Sequence, residues 1–398
     1  MRKIILLSLI ALLASCQDVK ETNSSVKNIQ LDINIDQELR LSEIADSVEV
    51  ILLEQTDESD IARVERIIPY KNKYYVMNSI GFSNGRVYIF DKQGNFIQKI
   101  DKRGGGVGEY VDLQDIAINP QNDELIFMTQ PQGIFKYDLD GNFISKVKGG
   151  YGMNVAADSL GNFYKTDRCF EETPYRLLMV NDKDSVPFGR IASDYFVMVN
   201  HYSFTNEFAC HHGRVYHSYP YSDTIYDVTG GNHIPVFYID YNGKNLPIDK
   251  IFSKDKNMEE SGRIKAVYKD CFRTDIFQIA DDYLYVGSVD GEKHGVISLY
   301  SFKTGTVFSA HRLIDDMFFP DNSFTFRPFR MPIAVEGNSL LWLVNPEWLL
   351  QGYEYYKENL SLEKWTEYCK RHPQMIEVCS KLDEESNPVL LKIKIKNF

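Results

Sequence analysis

Polar and apolar positions along this chain alternate with a period of two for most of its length, which predicts β-strands. Ser47 to Glu54 (SVEVILLE) alternates and then turns fully apolar; Ile61 to Tyr70, Lys73 to Met77, Arg86 to Phe90 and Asn95 to Ile100 follow as strands. Short strands continue at Ile116–Ile118, Asn162–Lys165, Tyr175–Asn181 and Ser185–Ile191. Glu207–His211 and Arg214–Ser218 predict a hairpin about His212-Gly213, and Asp223–Val228 with His233–Tyr241 a second pair. Leu246 to Asp270 is charged, with a helix or loop over Met258–Val267. Strands resume at Cys271–Ala280, Tyr283–Val289, Gly295–Phe302 and Ser339–Val344.

The period changes near the C-terminus. Pro346–Glu358, Leu362–Arg371 and Pro373–Leu382 read as helices, with Pro346 and Pro373 suited to first turns and Ser361 to an N-cap. Val389 to Lys396 then alternates apolar residues with lysine, a pattern suited to a sheet edge, and is expected to join the sheet begun near Ser47.

One phrase occurs twice. FDKQGNFIQKI at Phe90–Ile100 returns as YDLDGNFISKV at Tyr137–Val147, 47 residues later. That period fits a propeller blade best among repeat architectures. Each copy reads as a hairpin, the outer two strands of a blade, turning at Asp-x-x-Gly-Asn. Gly94 and Gly141 can take positive φ there, while Asp and Asn bond their own backbone.

The N-terminus adds a location. Arg2 and Lys3 precede an apolar run, Ile4–Ala14, too short to span a bilayer, which marks a secretory signal. It ends Leu13-Ala14-Ser15-Cys16, which resembles a bacterial lipobox; the resemblance implies cleavage before Cys16 and acylation there. Residues 1–15 are thus expected as a signal peptide, 16–40 as lipidated cysteine and flexible spacer, and 41–398 as one domain carrying a helical insertion at 346–382. The protein is then tethered to a membrane of the cell envelope, expected to be the outer one. A net charge of −12 without a basic block argues against nucleic acid as a partner. After Cys16 an odd set of cysteines remains: Cys169, Cys210, Cys271, Cys369 and Cys379. They are expected as buried free thiols, with a Cys369–Cys379 bridge left open.

The glycine-rich stretch DKRGGGVGEYVDLQD, Asp101–Asp115, invites a phosphate-binding reading. Glu109 stands where the last Gly of a G-x-G-x-x-G would be, and no Walker lysine follows. A strand rather than a helix comes next, so the stretch is expected to cross between blades. KRGGGVGEY followed by LQDIAI, between the two GNFI hairpins, resembles the six-bladed β-propeller lipoproteins of Bacteroides-type bacteria, distant relatives of NHL-repeat propellers. Val107 departs from the proline common there. SDTIYDV (Ser222–Val228) with IPVFYIDY, and LDEESNPVLLKIKIK (Leu382–Lys396), resemble two further segments of that family. The resemblance implies an all-β, six-bladed propeller closed by its terminal strands; it implies no activity.

Chemistry is sparse. Cys210-His211-His212, with His201 and His217 nearby, is the best candidate metal cluster, but strand neighbours face opposite ways, so His211 and His212 are not expected to share an ion. Asp138–Gly141 is a fragment of a calcium loop with Gly149 where its glutamate belongs. Asp281-Asp282 and Asp315-Asp316 read as turns. No catalytic set, metal site or cofactor is expected. Arg103, Glu109, Tyr110 and Asp115, near a crossover, either contact a ligand or pin adjacent blades. Arg327, Phe329 and Arg330 in FTFRPFRMP either face an anionic glycan or protein or are a core aromatic with solvated arginines. The expected role is a tethered binding or scaffold protein with a glycan or envelope protein as partner. The alternative is a glycan- or peptide-acting lyase or hydrolase at the mouth of the central channel; a third reading makes the helices of Pro346–Leu382 a docking surface.

Overall fold

Alternate residues of the strand Lys73–Asn78 feed two different hydrophobic clusters. Tyr74 and Val76 pack toward one neighbouring sheet, Tyr75 and Met77 toward the other, and all four are buried. That is how blades stack around an axis, and it explains why second strands such as Lys73–Asn78 and Glu124–Gln130 are buried on both faces along almost their whole length. The computed structural model describes residues 26–398 except 35–36, 80–84, 148–151, 168–175, 181–184, 190–205, 221, 248–268, 292–293, 319–324, 327–331 and 384.

Six antiparallel sheets form a β-propeller. Blade 1 comprises Val64–Tyr70, Lys73–Asn78, Arg86–Asp91 and Phe96–Ile100, and blade 2 comprises Asp112–Asn119, Glu124–Gln130, Gly133–Asp138 and Phe143–Val147. Both copies of the repeated phrase are therefore outer hairpins, as expected. Blade 3 is Val155–Ala157, Phe163–Thr166, Leu177–Val180 and Ser185–Pro187. Blade 4 is Phe208–His211, Arg214–Ser218, Thr224–Asp227 and Ile234–Asp240; blade 5 is Phe272–Ile279, Tyr283–Asp290, Gly295–Ser301 and Val307–Ala310. Blade 6 runs Ala334–Glu336, Ser339–Val344, Val389–Ile395 and Ala45–Leu52. The first strand of every blade touches the first strand of the next, and blade 6 touches blade 1, so the ring is closed. Among the described residues, six hydrophobic clusters occupy the six inter-blade gaps.

The turn chemistry is the anticipated one. Asp91 Oδ1 accepts the N–H groups of Gln93 and Asn95, and Asp138 Oδ1 those of Asp140 and Asn142. Gly94 and Gly141 have φ of 88° and 80°. A third copy of the turn, Asp158-Ser-Leu-Gly-Asn162, joins the first two strands of blade 3 with the same bonds; the phrase was legible in the sequence and was missed because its flanks differ.

The last strand joins the one begun near Ser47, as expected: Val389 pairs with Leu52 and Ile393 with Val48. It is not an edge, however. Ser339–Val344 pairs on its other side, and the lysines reach sideways, Lys392 to Glu336 and Lys396 to the carbonyl of Ser42. The outer edge belongs to Ala45–Leu52, and the helices cover it: Gln374 Nε2 donates to the Val50 carbonyl at 2.9 Å. Those helices, Pro346–Asn359, Leu362–Arg371 and Pro373–Cys379, interrupt blade 6 between its second and third strands. Asn345 and Ser361 cap the first two, and Leu349, Tyr356, Met375 and Cys379 bury their inner face in the gap between blades 5 and 6.

Two stretches of the segment expected as spacer, 16–40, are strands. Lys27–Gln30 adds in parallel to the outer strand of blade 4, burying Ile29, and Glu38–Arg40 pairs with Arg312–Ile314 beyond blade 5. With Ala45–Leu52 in blade 6, the N-terminal segment straps three consecutive blades. The reason is the open edge of blade 4, whose backbone groups the segment satisfies. Cys16, Cys169, His201, Gly149, Met258–Val267, Arg327, Phe329 and Arg330 lie outside the described residues.

Candidate functional site

Inner strands of all six blades line a central channel. Arg66, Ile118, Ala157, Phe208, Gln278 and Ala334 contribute one from each blade to a cavity of about 330 Å³. Each inner strand ends in a hairpin turn to its partner, so the six first turns ring one mouth, while the crossovers between blades lie at the other. The four residues singled out near the glycine-rich crossover belong to the second end.

There the structure brings Arg103, Glu109, Tyr110 and Asp115 into inter-blade and loop contacts. Arg103 pairs with Asp101, which also binds Arg86; beside these cations the Asp101 carboxyl, despite partial burial, sits below its ordinary pKa. Glu109 folds back to accept the N–H of Gly106 at 2.8 Å. Tyr110 is fully buried and donates to the carbonyl of Gly85 at 2.9 Å, and burial pushes its phenol up. Asp115, in the channel wall, accepts two bonds from Arg66 of blade 1 and one from the Val155 N–H of blade 3. Burial nevertheless raises its pKa, against the pull of Arg66.

The hairpin-turn mouth carries a cluster that the alternation argument had set aside. His211 ends its strand, but His212 is not on a strand: with Gly213 it forms a two-residue turn, φ 48° and 74°. That positive φ swings its ring beside His211, centroids 4.0 Å apart. Asp281, in the corresponding turn of blade 5, approaches both: its Oδ1 lies 2.9 Å from His212 Nε2 and 3.6 Å from His211 Nε2. The three donor atoms lie within 4.8 Å of one another. Partial burial, then the neighbouring His212, lowers the pKa of His211 and favours its neutral form. Asp281-Asp282 is a turn, as read from sequence; that the first carboxylate meets two imidazoles 70 residues away in the chain was not legible there.

Both turns are held by their neighbours around the ring. Ser159 N donates to the carbonyl of Gly213 at 2.8 Å. Asp282 exchanges bonds with Asn338 of blade 6 at 2.9 and 2.7 Å and takes Lys303 at 2.9 Å.

His217 lies elsewhere. It is fully buried, with Nε2 3.2 Å from Glu207 Oε2, and Glu207 is held by Arg176 of blade 3. Burial alone would raise the Glu207 pKa, but Arg176 and His217 bring it down to about 2. This triad staples blades 3 and 4. Asp315 caps its own turn through the N–H groups of Met317 and Phe318, and the Asp138 carboxylate is occupied by its own turn.

Of the described cysteines, Cys210, Cys271, Cys369 and Cys379 are free. Only Cys379 is buried; Cys210 is exposed because its strand faces the open channel.

A family profile described as "Domain of unknown function (DUF4934)" matches residues 25–394. Among solved structures, a "Putative exported protein" of Bacteroides fragilis NCTC 9343 superposes with a TM-score of 0.71 at 15% identity, covering 93% of this chain and all of that one. The likeness is one of fold. U3-55K gives a TM-score of 0.37 at 10% identity over 65% of each chain and carries no argument. No curated protein matches in sequence.

Proposed function

Because the chain belongs to the DUF4934 family, whose description assigns no activity, we propose from its own geometry that it is a tethered, extracytoplasmic binding protein that takes its ligand in the central channel. One observation carries this reading. A cavity of about 330 Å³ is walled by all six blades, mostly with apolar side chains, and has a few polar groups among them, Arg66, Gln278, His211 and His212 included. That is the usual make-up of a ligand site. The volume suits a small glycan or an exposed segment of an envelope protein. The apolar run before Cys16 supports the tether, and the description of the Bacteroides fragilis relative as exported agrees with an extracytoplasmic place.

Binding of glycan and peptide libraries to the full chain, compared with a Gln278→Trp variant that fills the channel from a partly exposed lining position, tests the proposal. Ligands bound by the parent and lost in a folded variant support it; binding that survives the filled channel removes it. Incorporation of an alkynyl fatty acid, abolished by Cys16→Ala, tests the anchor separately.

The alternative, a glycan- or peptide-acting lyase or hydrolase, draws on the carboxylate and imidazoles of Asp281, His211 and His212. Arg66, the cation in the channel wall, is engaged by Asp115. Turnover of a bound ligand, lost in His211→Ala, would favour this second reading over binding alone.

A further inference from the structure

The turn at His212 is built against local preference. A two-residue hairpin with positive φ at both positions favours Asn, Asp or Gly at the first. Here a histidine occupies it, with φ of 48°, as Lys71 with φ of 44° occupies the corresponding turn of blade 1; what sets His212 apart is where its ring is placed. The conformation brings a second imidazole to 4.0 Å from the first and aims it at a carboxylate of the next blade.

We propose that His211, His212 and Asp281 form a binding site for a divalent transition ion of the zinc class, bridging blades 4 and 5 at the channel mouth. The donor set is two imidazole nitrogens and one carboxylate oxygen, which suits zinc, copper or nickel; calcium and magnesium prefer oxygen alone. The spacing is right as well. Zinc–nitrogen and zinc–oxygen bonds of about 2.0–2.2 Å at tetrahedral angles put ligand atoms about 3.3–3.5 Å apart. The two nitrogen–oxygen separations, 2.9 and 3.6 Å, bracket that range. Small side-chain rotations close the difference, because His212 is exposed and Asp281 is at the surface of its turn.

The supporting turns are already fixed by the bonds of Ser159 to Gly213 and of Asp282 to Asn338. Preorganisation of this kind lowers the cost of bringing ligands together. Asp282, committed to Asn338 and Lys303, leaves Asp281 as the carboxylate facing the imidazoles. Three protein ligands leave an open position. His211 and His212 line the channel cavity, so that position is reachable from the channel. The site stands whether or not the channel takes a ligand.

The test uses the full chain stripped with chelator. Zinc chloride is titrated by calorimetry, and cobalt(II) is titrated by visible absorption, whose intensity reports four- or five-coordination. One ion per chain is expected, with a rise in melting temperature by mass action. His211→Ala and Asp281→Asn should each weaken binding by more than about tenfold, the scale on which metal sites lose affinity. His212→Asn is the decisive variant. Asn suits the turn, so the fold is kept while the imidazole is removed. Loss of zinc binding in a variant with an unchanged apo melting temperature supports the site. Zinc binding undiminished in His212→Asn and His211→Ala, or no binding at micromolar zinc by the folded parent, overturns it.

Discussion

Arg66 on the first strand of blade 1 donates to both carboxylate oxygens of Asp115 on the first strand of blade 2, at 3.0 and 2.8 Å. The same carboxylate accepts the Val155 N–H of blade 3 at 2.8 Å. A single ion pair in the channel wall therefore ties three blades. Both side chains are largely buried, 13% and 6% exposed, so removing one partner strands the other's charge. Arg66→Met is expected to cost about 3–5 kcal/mol by urea denaturation, and Arg66→Met with Asp115→Asn much less, since the uncompensated charge is then gone. Equal losses in the single and double variants would show that the pair does not act as a unit.

The glycine-rich crossover makes a position-specific prediction. A Cβ on Gly108 would stand 2.6 Å from Phe143 Cγ, at a φ of 75°, and the Gly108 carbonyl accepts the Tyr137 hydroxyl. Gly105 has no atom within 4 Å of the same point. Gly108→Ala should destabilise by more than about 1 kcal/mol, whereas Gly105→Ala should be close to neutral. Chemical denaturation of the two variants side by side decides it, and equal effects would mean that the loop does not pack on blade 2.

Two buried acids predict opposite pH dependences. Glu207 is depressed from 4.5 to about 2, because Arg176 and His217 outweigh its burial. Its contribution is complete above pH 4.5 and is lost as pH falls toward about 2, about 3 kcal/mol in all. Asp223 is raised from 3.8 to about 6, because burial outweighs its bonds to Asn245 and Thr274. Its protonated form is the one the fold favours, so its contribution is complete below pH 3.8 and lost as pH rises through about 6. Melting curves between pH 2 and 7 should show Glu207→Gln flattening the acid limb and Asp223→Asn flattening the slope from pH 4 to 6. A parent-like profile in either variant refutes that assignment.

Ring closure rests on the chain's two ends. Leu391, fully buried, sits on the third strand of blade 6 between Trp342 and Val50. Leu391→Ala should cost about 2–5 kcal/mol. Truncation after Asn387 removes the strand itself and separates Ala45–Leu52 from its sheet; cooperative thermal unfolding should then disappear. A truncated chain that melted like the parent would mean that blade 6 closes without it.

The local units were legible in the order of residues along the chain. Alternation gave most strands, the Asp-x-x-Gly-Asn turn gave the outer hairpins at Asp91 and Asp138, and the prolines and caps at Pro346, Ser361 and Pro373 gave the helices. These signals are short in range, since a turn or a first helical turn is decided by residues a few positions apart. The closing pair of Val389–Ile395 with Ala45–Leu52 was also foreseeable, because a propeller's remaining open edges must meet. The rest follows from how distant segments meet in the folded ring. That Lys27–Gln30 straps blade 4, that Val389–Ile395 is the third strand of its blade rather than an edge strand, and that Asp115 serves three blades depend on which edges and charges come to lie together. The meeting of His211, His212 and Asp281 is the clearest case. One positive φ turned a pair expected to face apart into neighbours, and only the stacking of blade 5 on blade 4 supplied the carboxylate.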